Sequence, residues 1–157
     1  ACELGAERII AMSRHTDRQA LAREFGATDI VEERGDAGVA KIKELTDGLG
    51  AHSVIEAVGT QESMMQAIRS TRPGGHVGYV GVSHGVELPG QELFFSGVHL
   101  HGGPAPVRRF LPELIELIWN RTINPGRVFD LTVPLAQADE AYQAMDQRRA
   151  TKVLLTL

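Results

Sequence analysis

The sequence predicts an α/β fold built on a doubly wound parallel sheet, and three observations predict it. Segments of strand length recur at Arg8–Met12, Ala27–Val31, His52–Val58 and His76–Val82, with helix-spaced apolar positions between them. The first, Arg8-Ile9-Ile10-Ala11-Met12, is so continuously apolar beyond Arg8 that both its faces belong inside a sheet, as parallel strands require. Most of these segments end abruptly in polar or glycine-rich residues, Ser13-Arg14-His15-Thr16 after the first and Gly59-Thr60 after the third. Open parallel sheets bind their ligands in such places, beyond the carboxyl ends of the strands.

The stretch Arg8–Val31 is the organising unit. Thr16 or Asp17 caps a helix whose Ala20, Leu21 and Phe25 make one buried side, and Gly26 stops it. Ala27–Val31 then begins a second strand, completing a right-handed βαβ unit of the nucleotide-binding kind. Upstream, Ala1–Leu4 reads as the last turn of a helix closed by Gly5.

Downstream, Glu32-Glu33-Arg34-Gly35 is a solvated turn, and Val39, Ile42 and Leu45 mark a helix ending near Asp47-Gly48-Leu49-Gly50. His52–Val58 is a strand. The helix after Gly59-Thr60 turns Met64, Ala67 and Ile68 inward, with Met65 toward the surface. Arg72-Pro73-Gly74-Gly75 forms a turn, and His76–Val82 a glycine-rich strand whose glycines let something approach closely. Pro89-Gly90 and the apolar Leu93-Phe94-Phe95 lead to a strand at Val98–His101, ending in Gly102-Gly103-Pro104. The strongest helix follows: Val107, Phe110, Leu111, Leu114, Ile115 and Ile118 lie at three- and four-residue spacing, a wide stripe to lay on the sheet, with Trp119 closing its end. Asn124-Pro125-Gly126 is a turn, Val128–Val133 a strand, Leu135–Met145 a helix and Lys152–Leu155 a last strand.

Composition narrows the function. A chain of 157 residues suits one domain with a sizeable core. A formal charge of −4 and a pI near 5.9, with cations scattered among carboxylates, argue against a nucleic-acid surface or a polybasic membrane patch. Cys2 is the single cysteine, so this chain offers no internal disulfide and no cysteine-based zinc cluster, and a cytoplasmic home is expected. No apolar run approaches the ~20 residues of a membrane helix, and Ala1–Leu4 lacks the regions of a signal peptide. The chain starts without Met, which points to processing or truncation.

Several residues carry two readings. In dinucleotide folds an acidic residue at the end of the second strand holds the ribose 2′-hydroxyl, whereas cationic or small polar residues there admit a 2′-phosphate. Ser13, Arg14 and Arg18 offer the second chemistry, or are solvated charges at a helix start. His99 and His101 share a strand face, a two-ligand metal spacing without an evident third ligand, or are packing histidines. His84 follows the glycine-rich strand and reads as a surface loop residue. Glu56 reads as a strand-end residue rather than a general base, and Cys2 as a helix-end thiol.

In order and spacing the motifs Leu4-Gly5-Ala6, Phe25-Gly26-Ala27-Thr28, Glu56-Ala57-Val58-Gly59, Arg72-Pro73-Gly74-Gly75, Gly78-Tyr79-Val80-Gly81-Val82 and Lys152-Val153-Leu154-Leu155 run through the whole chain. Together they resemble the medium-chain dehydrogenase/reductase superfamily, specifically its zinc-type alcohol dehydrogenases. The resemblance implies a Rossmann-type domain, 1–127, that lacks its first strand and its Gly-x-Gly-x-x-Gly turn. It also implies a segment, 128–157, that packs on a catalytic domain lying further upstream with the zinc ligands.

In the strand order 3-2-1-4-5-6 the missing first strand is central. The resemblance therefore predicts a gap with unpaired backbone on both sides, filled by a swapped strand, a rearranged sheet or an upstream segment outside this sequence. Direct pairing of the Arg8 strand with the His52 strand would refute it.

Residue by residue, the resemblance places Ser13, Arg14 and Arg18 beside the adenosine ribose. It places Ala57, Val58 and Gly59 along the cofactor trough, Val80, Gly81, Val82, Gly103 and Ala105 by the nicotinamide, and Lys152 near the pyrophosphate. Ser13-Arg14 in place of the Asp common in NAD users favours NADP, with NAD as the alternative. The implied partners are the dinucleotide, a small alcohol or carbonyl substrate in the full enzyme, and a twin chain across the Val98–His101 edge in a homodimer. The rival readings are a zinc-independent quinone or enoyl reductase of the same superfamily, a non-catalytic remnant or assembly module, and another doubly wound enzyme such as a methyltransferase.

Overall fold

Every strand pairing in the computed structural model, which describes residues Ala1–Leu157, is parallel. The chain divides into two units, Ala1–Ala105 and Pro106–Leu157. The boundary expected after Arg127 falls inside the second.

In the first unit, a 3-10 turn at Cys2–Leu4 ends at Gly5, whose φ of 76° is the left-handed cap expected there. β1 (Ile10–Met12) and β2 (Asp29–Val31) flank α1 (Thr16–Glu24) and pair in parallel, Ile10 opposite Asp29 and Met12 opposite Val31. The βαβ unit at Arg8–Val31 is thus present. Arg8 braces its base: Nε and Nη2 reach the Asp29 carboxylate at 3.0 and 3.2 Å, and Nη1 donates to the Leu45 carbonyl. Two expectations fail locally. His15 is the cap residue of α1, in extended backbone, so Thr16 and Asp17 lie inside the first turn; Asp17 there complements the helix dipole instead. No residue of α1 is buried, and Phe25 stays 44 % exposed.

α2 (Gly35–Leu45) buries Val39 and Ile42. β3 (Ala51–Glu56), β4 (Thr71–Tyr79) and β5 (His99–Gly102) form a second sheet in that order. The Arg72-Pro73-Gly74-Gly75 turn lies inside β4 rather than ahead of it. Ala51 pairs with Thr71 and Ser53 already with His76, so the turn is a bulge with Gly74 at φ 73°. α3 (Gln61–Ser70) starts with a reciprocal cap, in which Thr60 and Ser63 each accept from the other's backbone N–H. Its Met64, Met65 and Ile68 are the core of this sheet, joined by Leu93 from α4 (Gly90–Ser96) and by Leu100. Met65, expected toward the surface, is buried in one cluster with Met64 and Ile68, against which Leu93 of α4 packs.

β1 does not pair with β3. The gap predicted from strand order is therefore present, and helices hold its two sides together. Gly38 on α2 makes this approach close: a Cβ there would sit 2.3 Å from Gln66 Nε2 and 3.0 Å from Met12 Cε. Gln66 in turn reaches Met12 Sδ at 3.4 Å.

The second unit holds α5 (Val107–Trp119), β6 (Leu131–Pro134), α6 (Ala138–Asp146) and β7 (Val153–Thr156), with β6 and β7 paired in parallel. β6 starts later than expected because Pro125–Val128 winds into a 3-10 turn, and Leu135–Gln137 winds likewise before α6. Val133, Ala141, Ala144 and Ala150 are its buried core. Along the stripe of α5, Val107, Phe110, Leu111, Leu114, Ile115 and Ile118 are 40 to 55 % exposed. Periodicity records which side of a helix is apolar, not what covers it. No helix is long and apolar enough to cross a membrane.

Candidate functional site

Two backbone turns interlock beyond the carboxyl ends of β3 and β4. After β3 the chain turns through Ala57-Val58-Gly59, with Gly59 at φ 84°. A Cβ on Gly59 would lie 2.2 Å from the Val82 carbonyl oxygen. After β4, Val80 N and Gly81 N donate to the Glu56 carbonyl at 2.8 and 3.3 Å, and a Cβ on Gly81 would lie 2.6 Å from Gly59 N. Side chains are thereby excluded from the crossing, and six of the expected residues, Ala57, Val58, Gly59, Val80, Gly81 and Val82, come together. Val80, Gly81 and Val82 lie past the end of β4 and not within it, because the strand's pairing with β3 ends at Tyr79. Val58, Val80 and Val82 are 70, 57 and 72 % exposed, an apolar rim on this crossing.

Glu56 sets the first turn, a role its sequence position did not reveal. Its side chain is buried, and Oε1 accepts from Val58 N at 2.8 Å, Gly59 N at 2.9 Å and Ser63 Oγ at 2.7 Å. Burial pushes its pKa up, but these donors outweigh burial and leave it below the ordinary carboxylate value. The readable signal was spacing, a carboxylate two and three residues ahead of the N–H groups of a glycine turn. His84 N closes the far side, donating to the Gly59 carbonyl at 3.3 Å.

Ser13 and Arg14 follow the end of β1, and Arg18 lies in the first turn of α1. Ser13 N donates to Val31 O, and Ser13 Oγ accepts from His15 N at 3.3 Å. Gln19, another residue not singled out from the sequence, ties Ser13 O to Glu32 Oε1 at 2.9 and 2.8 Å. The guanidinium groups of Arg14 and Arg18 are exposed and make no ion pair, unlike those of Arg8 and Arg69.

Gly103, at φ 135°, donates from N to Tyr79 O at 3.4 Å just beyond β5, and Ala105 is exposed two residues on. Lys152 belongs to the second unit. There the Asp130 carboxylate takes the backbone N–H of Thr151 at 2.9 Å and of Lys152 at 3.3 Å, leaving the Lys152 side chain exposed.

Comparison with known proteins gives this geometry a family. The family model described as "Zinc-binding dehydrogenase" matches residues 1–120. The chain is 31% identical over 157 residues to zinc-type alcohol dehydrogenase B of Aspergillus flavus, covering 98% of this chain and 36% of that protein. It is 34% identical over 134 residues to the NADP-dependent isopropanol dehydrogenase of Entamoeba histolytica, covering 82% of this chain and 37% of that one. The alcohol dehydrogenase TADH from Thermus sp. ATN1 superposes with a TM-score of 0.90 at 29% identity, over 99% of this chain and 46% of that chain. The chain thus spans less than half the length of the proteins it matches. With its parallel α/β architecture and its glycine turns at the strand ends, it belongs to the zinc-binding dehydrogenase family.

Proposed function

We propose that this chain binds the nicotinamide cofactor of an NADP-preferring, zinc-type alcohol dehydrogenase. The observation that carries the cofactor choice is the exposed, unpaired guanidinium group of Arg14, next to Ser13 after β1, with that of Arg18 in the helix that follows. A 2′-phosphate brings about −1.5 to −2 charges that these cations balance, whereas the 2′-hydroxyl of NAD is served by a carboxylate acceptor. The relation to the NADP-dependent isopropanol dehydrogenase of Entamoeba histolytica supports the same preference.

In this reading the interlocked turns at Gly59 and Gly81 let the cofactor meet backbone without steric obstruction. Val58, Val80 and Val82 give the nicotinamide an apolar, water-excluding wall, and Gly103 and Ala105 flank it. When bound, the nicotinamide would take a hydride from the alcohol carbon or deliver one to the carbonyl carbon, and zinc held in another part of the whole protein would polarise the oxygen. The residues here bind and orient, and the chain alone turns over no alcohol. Residues 128–157 pack on the catalytic domain of the whole enzyme, and the free edge of β5 pairs with its twin in a homodimer; a monomer by solution scattering of the whole enzyme would overturn the dimer.

The test of the cofactor reading is calorimetry of NADP⁺ and NAD⁺ with this chain and with Arg14→Ala. Tighter binding of NADP⁺, weakened by about tenfold or more in Arg14→Ala while NAD⁺ binding is unchanged, is the expected result. Equal affinities for the two cofactors, or indifference to the substitution, would refute the preference.

A further inference from the structure

The turn between β1 and α1 is tied through every polar group of Ser13. Its N donates to Val31 O at 3.1 Å, its Oγ accepts from His15 N at 3.3 Å, and its carbonyl accepts from Gln19 Nε2 at 2.9 Å. Gln19 stands one turn into α1, half-buried, and the same nitrogen donates to Glu32 Oε1 at 2.8 Å. An amide nitrogen carries two hydrogens, and both are used here to bridge the ends of β1 and β2. The bridge brings a carboxylate within two hydrogen-bond lengths of the Ser13 carbonyl. Glu32 is exposed, no ion pair joins it to Arg14 or Arg18, and only Oε1 is engaged. No local pattern shows this arrangement: Gln19 and Glu32 are 13 residues apart and meet because β1 and β2 pair in parallel.

We propose that Glu32 is a specificity-determining residue of the cofactor site, a held negative charge that opposes Arg14 and Arg18 and keeps the preference for NADP⁺ below what the two cations alone would set. This rests on the cofactor reading above, which puts the adenosine ribose beside Ser13. A 2′-phosphate there carries about −1.5 to −2 charges and meets the carboxylate as a like charge, whereas the 2′-hydroxyl of NAD⁺ is neutral and meets no such repulsion. The pyrophosphate is common to both cofactors, so its repulsion cancels in the ratio of their affinities. Gln19 gives the charge its place. A glutamate side chain free in a solvated turn would swing away from an arriving anion, but Glu32 must first break a charge-assisted hydrogen bond.

The experiment measures NADP⁺ and NAD⁺ affinities by calorimetry for the 157-residue chain and its Glu32→Gln variant, at about 0.01 M and about 1 M salt. Glu32→Gln keeps an oxygen for Gln19 Nε2 and removes the charge, and a thermal melt checks that folding is intact. Glu44→Gln removes the same charge at the far end of α2, where Glu44 pairs with Lys41. At low salt the ratio of NADP⁺ to NAD⁺ affinity should rise by about threefold or more in Glu32→Gln and by less than about twofold in Glu44→Gln. At high salt the gain should shrink, because the Debye length falls from about 30 Å to about 3 Å. Tighter binding separates a charge effect from damage to the turn, since a purely structural Glu32 would leave the variant no better at holding NADP⁺. A ratio that stays the same or falls in Glu32→Gln, an equal rise in Glu44→Gln, or a rise undiminished by salt would overturn the proposal. The cofactor reading would still stand if wild-type binding of NADP⁺ depended on Arg14. Absence of NADP⁺ binding, or indifference to Arg14→Ala, would refute that reading and this proposal with it.

Discussion

Gly59 and Val82 meet backbone to backbone: a single methyl group on Gly59 would stand 2.2 Å from the Val82 carbonyl oxygen, and the φ of 84° at Gly59 disfavours any side chain there. Neither side of this contact is a flexible side chain end that can move aside. Gly59→Ala is expected to cost about 2 kcal/mol or more, the sum of left-handed strain and a displaced turn. Gly74, at φ 73° with nothing within 4 Å of its would-be Cβ, carries the strain without the clash. Urea unfolding should therefore rank Gly59→Ala well below Gly74→Ala, and equal losses would show that the crossing does not constrain the fold.

Glu56 gives the acid side of the stability profile a specific origin. Its folded pKa lies below the ordinary 4.5, since the N–H groups of Gly59 and Val58 and the Ser63 hydroxyl outweigh the upward push of burial. Its contribution is therefore fully present above pH 4.5 and is lost as pH falls through the lower folded value. Asp29, Glu92 and Asp130 are shifted the same way, so the whole chain should weaken below about pH 4.5. The difference between wild type and Glu56→Gln isolates one group. The variant should be less stable at pH 7, and the gap should shrink as pH falls from 5 to 3. Glu56→Ala, which leaves buried N–H groups without their acceptor, should lose about 2 to 3 kcal/mol at pH 7. A wild-type advantage that stays constant with pH would refute the ionised clamp.

What the sequence disclosed, and what it withheld, follows from the range of the interactions. Strand and helix existence is written in local periodicity, and the parallel pairing of Arg8–Val31 follows from the length of its crossover. The glycines of Gly78-Tyr79-Val80-Gly81-Val82 announced a close approach, but not its partner: Gly81 meets the chain's own turn at Val58 and Gly59. Likewise His76 stacks on His99 through register between strands, a pairing no local pattern encodes. Met65 is buried although a single amphipathic stripe leaves it outside, because Leu93 of α4 packs against the cluster that holds it, a neighbour the local pattern does not name.

α5 presents the opposite case, an apolar stripe left about half exposed. Leu111 and Ile115, one turn apart, are 42 and 55 % exposed. Replacing both with Glu is expected to change unfolding stability by no more than about 0.5 kcal/mol per site, the range for surface positions. The same change should lower binding of an apolar fluorescent dye and any self-association seen by light scattering, since contiguous apolar patches drive both. Loss of folding in the double variant would mean that the stripe is covered in solution.

The gap between β1 and β3 should be visible amide by amide. In a parallel strand the N–H and C=O of one residue point to the same side and those of the next residue to the other. Ile9 O accepts from Thr28 N and Asp29 N, and Ser13 N donates to Val31 O, so Ile9, Ala11 and Ser13 face β2 while Ile10 and Met12 face the gap. On β3, Glu56 O accepts from Val80 N, so Val54 and Glu56 face β4 while Ser53 and Ile55 face the gap. Hydrogen exchange followed by NMR should show Ile10, Met12, Ser53 and Ile55 exchanging at least about 100-fold faster than Ala11 and Val54. Slow exchange at all four would mean that the two sheet edges are already satisfied in the 157-residue chain. In the whole protein the proposed central strand sits between those edges, and the same four amides should become protected together. Protection of only one pair would mean that the added segment docks on one edge without completing the sheet.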